Sequence, residues 1–263
     1  MTLLLALWSY RGFILTSVQR EFQSKYRNSL FGATWMVLNP MAMIFVYTVI
    51  FSKLMQSRLP GSDGLFTYSI YLCAGVLTWG FFAEIVGRAH NVFIDNANLI
   101  KKLSFPRLCL PLIVVLNASL NFSIVFALFI AFLLASGTFP GWVFLAVLPV
   151  LLIQVMFSIG LGMTLGVLNV FFRDVGQLFG IVLQFWFWLT PIVYPVNVLP
   201  ERLVGYFAYN PMAVLVGAYQ QIFVYSLWPD WSALLPVLGV SLMLCVLGAY
   251  LFRKHAADMV DEL

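Results

Sequence analysis

The 263-residue chain carries 14 Lys and Arg against 10 Asp and Glu, a net charge of +4, with 62% hydrophobic and only 9% charged residues. Soluble domains carry about 25% charged and about 45–50% apolar residues, so a water-soluble fold is excluded: too few charges exist to cover its surface. The apolar residues come in runs of about 20, the length that crosses a hydrocarbon core of about 30 Å as a helix, and the alternating segments of about ten residues that build outer-membrane barrels are absent.

The opening stretch does not read as a signal peptide, because an apolar start precedes the first basic residue, Arg11. At helical periodicity Leu4, Leu7, Trp8, Leu15, Val18, Phe22 and Tyr26 fall on one side and Ser9, Gly12, Thr16, Gln19, Arg20, Gln23 and Arg27 on the other. Residues 1–30 are therefore expected to form an amphipathic helix in the headgroup layer, with Arg11 snorkelling from near its apolar face. The membrane domain is expected over 31–263. Its first span is predicted near 31–51, kinked at Asn39-Pro40, the second near 65–86, the third near 108–135 and the fourth near 142–172. A fifth begins near Val175 and meets Pro191 and Pro195, and the last is predicted near 232–252. Between the fifth and the last, 196–231 contains Pro200, Asn210-Pro211 and Pro229, and its apolar piece is too short to span; it reads as a re-entrant or interfacial gate segment.

Charge sets the count. With six spans, Arg11, Arg20, Lys25, Arg27, Arg88, Lys101, Lys102, Arg107, Arg173, Arg253 and Lys254 share one face, leaving only Lys53, Arg58 and Arg202 on the other. By the positive-inside rule both termini are then cytoplasmic; a seventh span would send Arg253-Lys254-His255 outside. This asymmetry accounts for the net positive charge without a nucleic-acid partner.

Enzyme motifs are missing. There is no phosphate-binding loop, zinc-protease helix, nucleophile elbow or dinucleotide fingerprint, so no cofactor is expected on this chain. Cys73, Cys109 and Cys245 are scattered through apolar runs, and His90 and His255 lack neighbours at metal-ligand spacing. Glu84, the one carboxylate well inside a predicted span, is either functional or an i,i+4 partner of Arg88. So few buried ionisable groups suit neither proton nor sodium coupling, and the energy source is expected on another polypeptide. A membrane glycan ligase or acyltransferase would need clustered external polar groups, whereas Asp63, Glu201 and Asp230 are widely spaced. The connection 88–107 carries Val92, Phe93, Leu99, Ile100 and Leu103 with the helix-capping types Asp95, Asn96 and Asn98; it reads either as an amphipathic segment that docks on a cytoplasmic partner or as a basic loop that orients the chain. Among the aromatics, Trp79, Trp186 and Trp188 stand away from the interfacial belts, and with Trp35, Tyr71, Phe82 and Tyr194 they are the candidate lining of a substrate path; core packing or a belt position is the alternative for each. Gly162 with Gly166 and Gly176 with Gly180 fit close helix approach, within this chain or to another.

Taken in order, these pieces resemble a family. Residues 20–32 with Trp35 and Asn39-Pro40, the stretch 74–82, Asn98-Leu99-Ile100-Lys101-Lys102 with Phe105-Pro106-Arg107, Phe172-Arg173-Asp174-Val175, and Thr190-Pro191-Ile192-Val193-Tyr194-Pro195 followed by Asn210-Pro211 are similar, nearly end to end, to ABC-2 type membrane subunits of bacterial polysaccharide exporters, closest to the O-antigen permeases.

The resemblance implies an all-α homodimer in the bacterial inner membrane, with six spans per subunit and two separately encoded cytoplasmic ATPase subunits that hold ATP and Mg. It implies that Asp95, Asn98, Leu99, Lys101 and Lys102 couple to the ATPase and that the segment after Pro195 is an external gate. The implied substrate is an undecaprenyl-diphosphate-linked glycan of the lipopolysaccharide pathway, its diphosphate attracted by Lys25, Arg27 and Arg88, with ordinary positive-inside placement as the alternative for each. Teichoic acid, capsular polysaccharide or a small lipophilic drug would fit the same fold.

Overall fold

The computed structural model describes residues 8–26, 66–102, 106–196 and 205–263, with Pro200 and a few isolated positions between 34 and 46. The predicted first span and Trp35 lie outside the described residues. Every regular element among those described is helical. In chain order they are α1 (Arg11–Tyr26), α2 (Thr67–Ala89), α3 (Val92–Asp95), α4 (Ala97–Lys102), α5 (Cys109–Ala135), a 3₁₀ turn (Gly141–Ala146) running into α6 (Val147–Phe171), α7 (Asp174–Trp188), α8 (Pro211–Tyr225), α9 (Trp231–His255) and α10 (Asp258–Glu262).

Four of these, α2, α5, the 3₁₀ turn with α6, and α9, are long and apolar enough to cross a membrane. They match the predicted second, third, fourth and last spans to within about three residues, as expected where boundaries are read from periodicity. The other two pieces are short. At 15 residues each, α7 and α8 are about 22 Å long, less than the hydrocarbon core. Pro191 explains the end of α7: its ring cannot extend a helix, and it disfavours helical geometry in the residue before it. Asn210 and Pro211 start α8 afresh, the Asn210 carboxamide oxygen accepting from the Met212 amide at 3.1 Å.

The main core lies between α2, α5, α6 and α8. α2 is apolar along most of its length and buried on most sides, with Phe82, Ile85 and Val86 fully enclosed. α6 and α9 form the most extensive helix pair. Ala89, the last residue of α2, seats on the small stripe of α6: a Cβ on Gly162 would lie 2.5 Å from Ala89 Cβ, and one on Gly166 2.8 Å from the Ala89 carbonyl oxygen. The first of the two glycine spacings thus serves a helix of the same chain.

α1 docks on α5 through Ile14 and Val18, which bury against Cys109 and Ile113. Trp8 and Leu15, assigned by periodicity to the apolar face, are exposed instead. The packed stripe is therefore turned toward Ile14, and Trp8 and Leu15 are left outward among Arg11, Gln19 and Arg20. The Arg11 guanidinium lies over the Trp8 ring, 5.2 Å from its centroid, and donates to the Trp8 carbonyl.

α9 begins at Asp230, whose Oδ1 accepts from the Ser232 amide at 2.9 Å, the Ser232 hydroxyl at 2.6 Å and the Ala233 amide at 3.4 Å. The Ser232 hydroxyl, and after it the Ala233 amide, hold the carboxyl below its ordinary value. A depressed folded value stabilises the helix start above the unfolded value, and that contribution is lost as pH falls through the folded one. Below about pH 4 amide exchange at Ser232 and Ala233 is therefore expected to accelerate beyond the intrinsic change. Asp230→Asn should abolish that pH dependence.

Candidate functional site

Two polar constellations interrupt the apolar bundle, one at each end. The first surrounds Arg88 in the last turn of α2. Its guanidinium donates to Glu21 of α1, and Glu84 lies farther off, at 3.9 Å. Asn117 of α5 donates to the second oxygen of Glu21 at 2.5 Å, and Asn121, one turn on, donates to Glu84 at 2.5 Å. The i,i+4 pairing of Glu84 with Arg88 expected from spacing is present but loose; the closer partner of each lies on another helix. Nothing local marked Glu21 for this role, since it sits 67 residues from Arg88. Asn117 and Asn121 did carry a signal, two amides at i,i+4 spacing in an otherwise apolar span, so that both reach the same neighbouring face.

Two carboxylates share one guanidinium here, and each also accepts from an asparagine amide. The cluster fixes α1 to α2 and α5 beside a cleft of about 460 Å³ that is also lined by Arg20, Asn91, Asp95 and Asn96. Glu21 and Arg88 are partly exposed, so their pair contributes about 0.2–1 kcal/mol. Arg88→Ala, which leaves two carboxylates without their cation, is expected to lower thermal stability in detergent more than Glu21→Ala does. The double variant should lose less stability than the two single losses added together.

Next to this cleft, α3 and α4 form the surface on which docking was expected. Val92, Phe93 and Ile100 turn inward, Phe93 stacking on Phe252 of α9 at 5.6 Å, while Asp95, Asn98 and Lys101 are exposed and Leu99 is half-buried. Asn96 breaks the two helices apart, its side-chain amide donating to the Val92 carbonyl at 2.8 Å. The side chains of Lys25 and Lys102, and all of Arg27 and Leu103, lie outside the described residues. Arg88 is described, and its charge is already matched by Glu21 and Glu84.

The second constellation holds the non-helical loop 190–194 that follows α7. Tyr71 lies 3.0 Å from both the Pro191 and Tyr194 carbonyls and shares its one hydroxyl proton between them. Tyr68 donates to the Val193 carbonyl at 2.5 Å and Gln220 of α8 to the Pro191 carbonyl at 3.3 Å. Ile192 plugs into α2 and α8 with no exposed surface. Asn210 stitches the two short helices together: its oxygen accepts from the Trp186 indole at 2.8 Å, and its nitrogen donates to the Leu189 carbonyl and the Thr190 hydroxyl. Non-helical backbone leaves its carbonyls without helical partners, and side chains satisfy those of Pro191, Val193 and Tyr194 here.

The aromatic candidates divide. Trp79 and Phe82 are buried and join Trp186, Phe157 and Phe187 in one aromatic cluster, edge-to-face around Trp186, with Trp79 6.3 Å and Phe82 5.4 Å from it. Tyr71 is buried as well, and its hydroxyl is committed to the loop. Trp188 is exposed at the end of α7, and its carbonyl accepts from the half-buried Tyr194 hydroxyl at 2.8 Å. Trp186 also borders an apolar cleft of about 560 Å³ with Tyr206, Phe207, Tyr209 and Pro211. Among the described residues no His, Cys, Asp or Glu cluster is fit to hold a metal ion.

These features can be set beside known proteins. Residues 13–224, from α1 through α8, match the ABC-2 type transporter family. The chain is 30% identical to the O-antigen export system permease protein RfbA of Myxococcus xanthus, over 98% of this chain and 97% of that one. It is 29% identical to the RfbA of Klebsiella pneumoniae, over 92% and 91%. The polysialic acid transport protein KpsM of Escherichia coli is 20% identical over 92% and 93%. With four long apolar helices and a family match that runs from the first described helix to the eighth, this multi-pass membrane chain belongs to the ABC-2 type transporter family, as a membrane permease and not a catalytic enzyme.

Proposed function

We propose that this chain is the channel-forming subunit of an ATP-driven exporter that moves undecaprenyl-diphosphate-linked polysaccharide of the O-antigen class outward across the bacterial inner membrane. The observation that carries this reading is the near full-length likeness to two O-antigen export permeases. Two chains form the channel, and two separate ATPase subunits hold ATP and Mg.

Each chain has six spans and both termini in the cytoplasm, the Arg88 end of the bundle facing inward. Arg20, Arg88, Lys101, Arg107, Arg173, Arg253 and Lys254 belong to that end, which supports the orientation. α3 and α4 present Asp95, Asn98 and Lys101 to the ATPase, with Leu99 and Lys102 completing the surface, and α1 lies beside them at the interface. The loop 190–194 with α8 closes the outer end. Trp186, Trp188 and Tyr194 line the path, while Tyr71, Trp79 and Phe82 act from behind them, holding α7 and the loop in place. Lys25 and Arg27 receive the lipid diphosphate. Arg88 serves this anion only when Glu21 releases it.

The test uses the chain purified with its ATPase partner in lipid. Hydrolysis is expected to rise when lipid-linked O-antigen is added. Equal rates with and without any of a panel of lipid-linked glycans would contradict the reading. The weaker likeness to a polysialic acid transporter supports a capsular glycan as the second reading, and stimulation by that glycan alone would select it.

A further inference from the structure

Asn169, in the last turn of α6, is 2% exposed and uses both ends of its carboxamide. Its nitrogen donates to the His90 carbonyl at 3.0 Å and to Asn91 Oδ1 at 2.9 Å; its oxygen accepts from the Gly176 amide at 2.9 Å. The reverse orientation of the amide would set oxygen against the His90 carbonyl and N–H against N–H, so the contacts fix the assignment. The three partners come from separate places. His90 and Asn91 are the turn from α2 into α3, and Gly176 is in the first turn of α7.

The start of a helix leaves backbone N–H groups unpaired, and a Ser, Thr, Asp or Asn just before the helix usually takes one. α7 has Arg173 there, and no side-chain cap is made. Asn169 supplies the missing acceptor from another helix. The approach is close: a Cβ on Gly176 would lie 2.8 Å from Asn169 Oδ1, so any larger residue there must push the carboxamide aside. His90, also buried, turns its ring toward Phe179 of α7, centroids 6.3 Å apart. One buried amide thus ties the beginning of the α3–α4 segment to the beginning of α7. The far end of α7 is tied through Trp186 and Thr190 to Asn210 and the loop 190–194.

We propose that Asn169 is a positioning residue for transport: it passes displacement of α3–α4 to α7, and through that rigid helix to the loop and α8 at the opposite end of the bundle. A hydrogen-bonded knot between packed elements transmits motion because its alternatives are discrete. The Asn91 and Gly176 partners move with Asn169 or leave buried polar groups unpaired. This inference rests on the exporter reading, in which α3–α4 meets the ATPase.

The test places a single cysteine at Tyr209, which is exposed two residues before the start of α8, in an active chain whose Cys73, Cys109 and Cys245 are replaced by serine. The chain is reconstituted with its ATPase, and the rate of labelling by a membrane-impermeant maleimide is read with and without ATP. In the Asn169→Ala chain ATP hydrolysis should stay within about twofold, while the ATP-dependent change in labelling falls by about tenfold, inside the range of a coupling free energy. Asn169→Asp keeps the acceptor for Gly176, replaces both donors by an oxygen facing the His90 carbonyl and Asn91 Oδ1, and carries the same expectation. An unchanged labelling response in either assembled variant overturns the relay, and so does failure of both to assemble, which would make Asn169 a folding residue only. No ATP response in the parent chain overturns the exporter reading itself, and the relay with it.

Discussion

Gly162→Ala is expected to destabilise the chain, although the same change at an open helix position stabilises it. An interior Gly→Ala substitution normally gains up to about 1 kcal/mol through helix propensity. Here the new methyl would sit 2.5 Å from the Cβ of Ala89, which is completely buried, and 3.6 Å from the α-carbon of Val86. Neither neighbour is the free end of a flexible side chain, so α2 must move off α6. Overpacking of this kind costs about 1–3 kcal/mol, enough to reverse the propensity gain. Ala89→Gly in the same chain removes the opposing methyl and should restore most of the loss, at about 0.5–1 kcal/mol of its own for glycine in a helix. Thermal unfolding of the two single variants and the double variant in detergent checks the sign. A stabilised Gly162→Ala chain would contradict the close approach of α2 and α6, and with it the position of His90 over Asn169.

The second large effect is expected at the opposite end. Tyr71→Phe keeps the ring and removes the hydroxyl that serves the Pro191 and Tyr194 carbonyls. Pro191 still has Gln220, but the Tyr194 carbonyl loses a donor. A fully buried polar group left without its partner costs about 1–3 kcal/mol, and the half-buried Tyr194 carbonyl should fall at the lower end. Much of that cost would be relieved by letting the loop 190–194 move, so the expected signature is a leak as well as a lower melting temperature. Proteoliposomes carrying Tyr71→Phe should pass small polar solutes faster in the absence of ATP. Tyr250→Phe, on the exposed face of α9, should not.

The long helices were legible in the sequence because a bilayer demands the same thing of every span: about twenty apolar residues without interruption. The broken segment between α7 and α8 was legible for the opposite reason. Pro191, Pro195 and Asn210-Pro211 forbid a continuous helix, and α7 and α8 end and begin beside them. The roles of single residues were hidden wherever they depend on tertiary distance. Glu21 meets Arg88 across 67 positions and Asn169 meets His90 across 79, and no periodicity reports such pairs. Aromatic side chains pose a related difficulty. A tryptophan suited to a sugar ring is equally suited to a core, and composition cannot separate Trp79, which is buried, from Trp188, which is exposed. The face of α1 was displaced because its periodicity reported apolar residues without distinguishing a protein neighbour from lipid; Ile14 found α5, and Leu15 did not.

The most direct measurement follows the polysaccharide itself. In cells deleted for this chain and re-supplied with it on a regulated promoter, lipid-linked polysaccharide is labelled with a glycan-specific antibody before and after permeabilisation. Without the chain, the polymer is expected to be detected only after permeabilisation, held on the inner leaflet. Expression should move it to the surface, and an ATPase partner unable to hydrolyse ATP should block that movement. Surface polysaccharide at parental levels in the deleted cells would contradict the assignment of this chain as its path across the membrane.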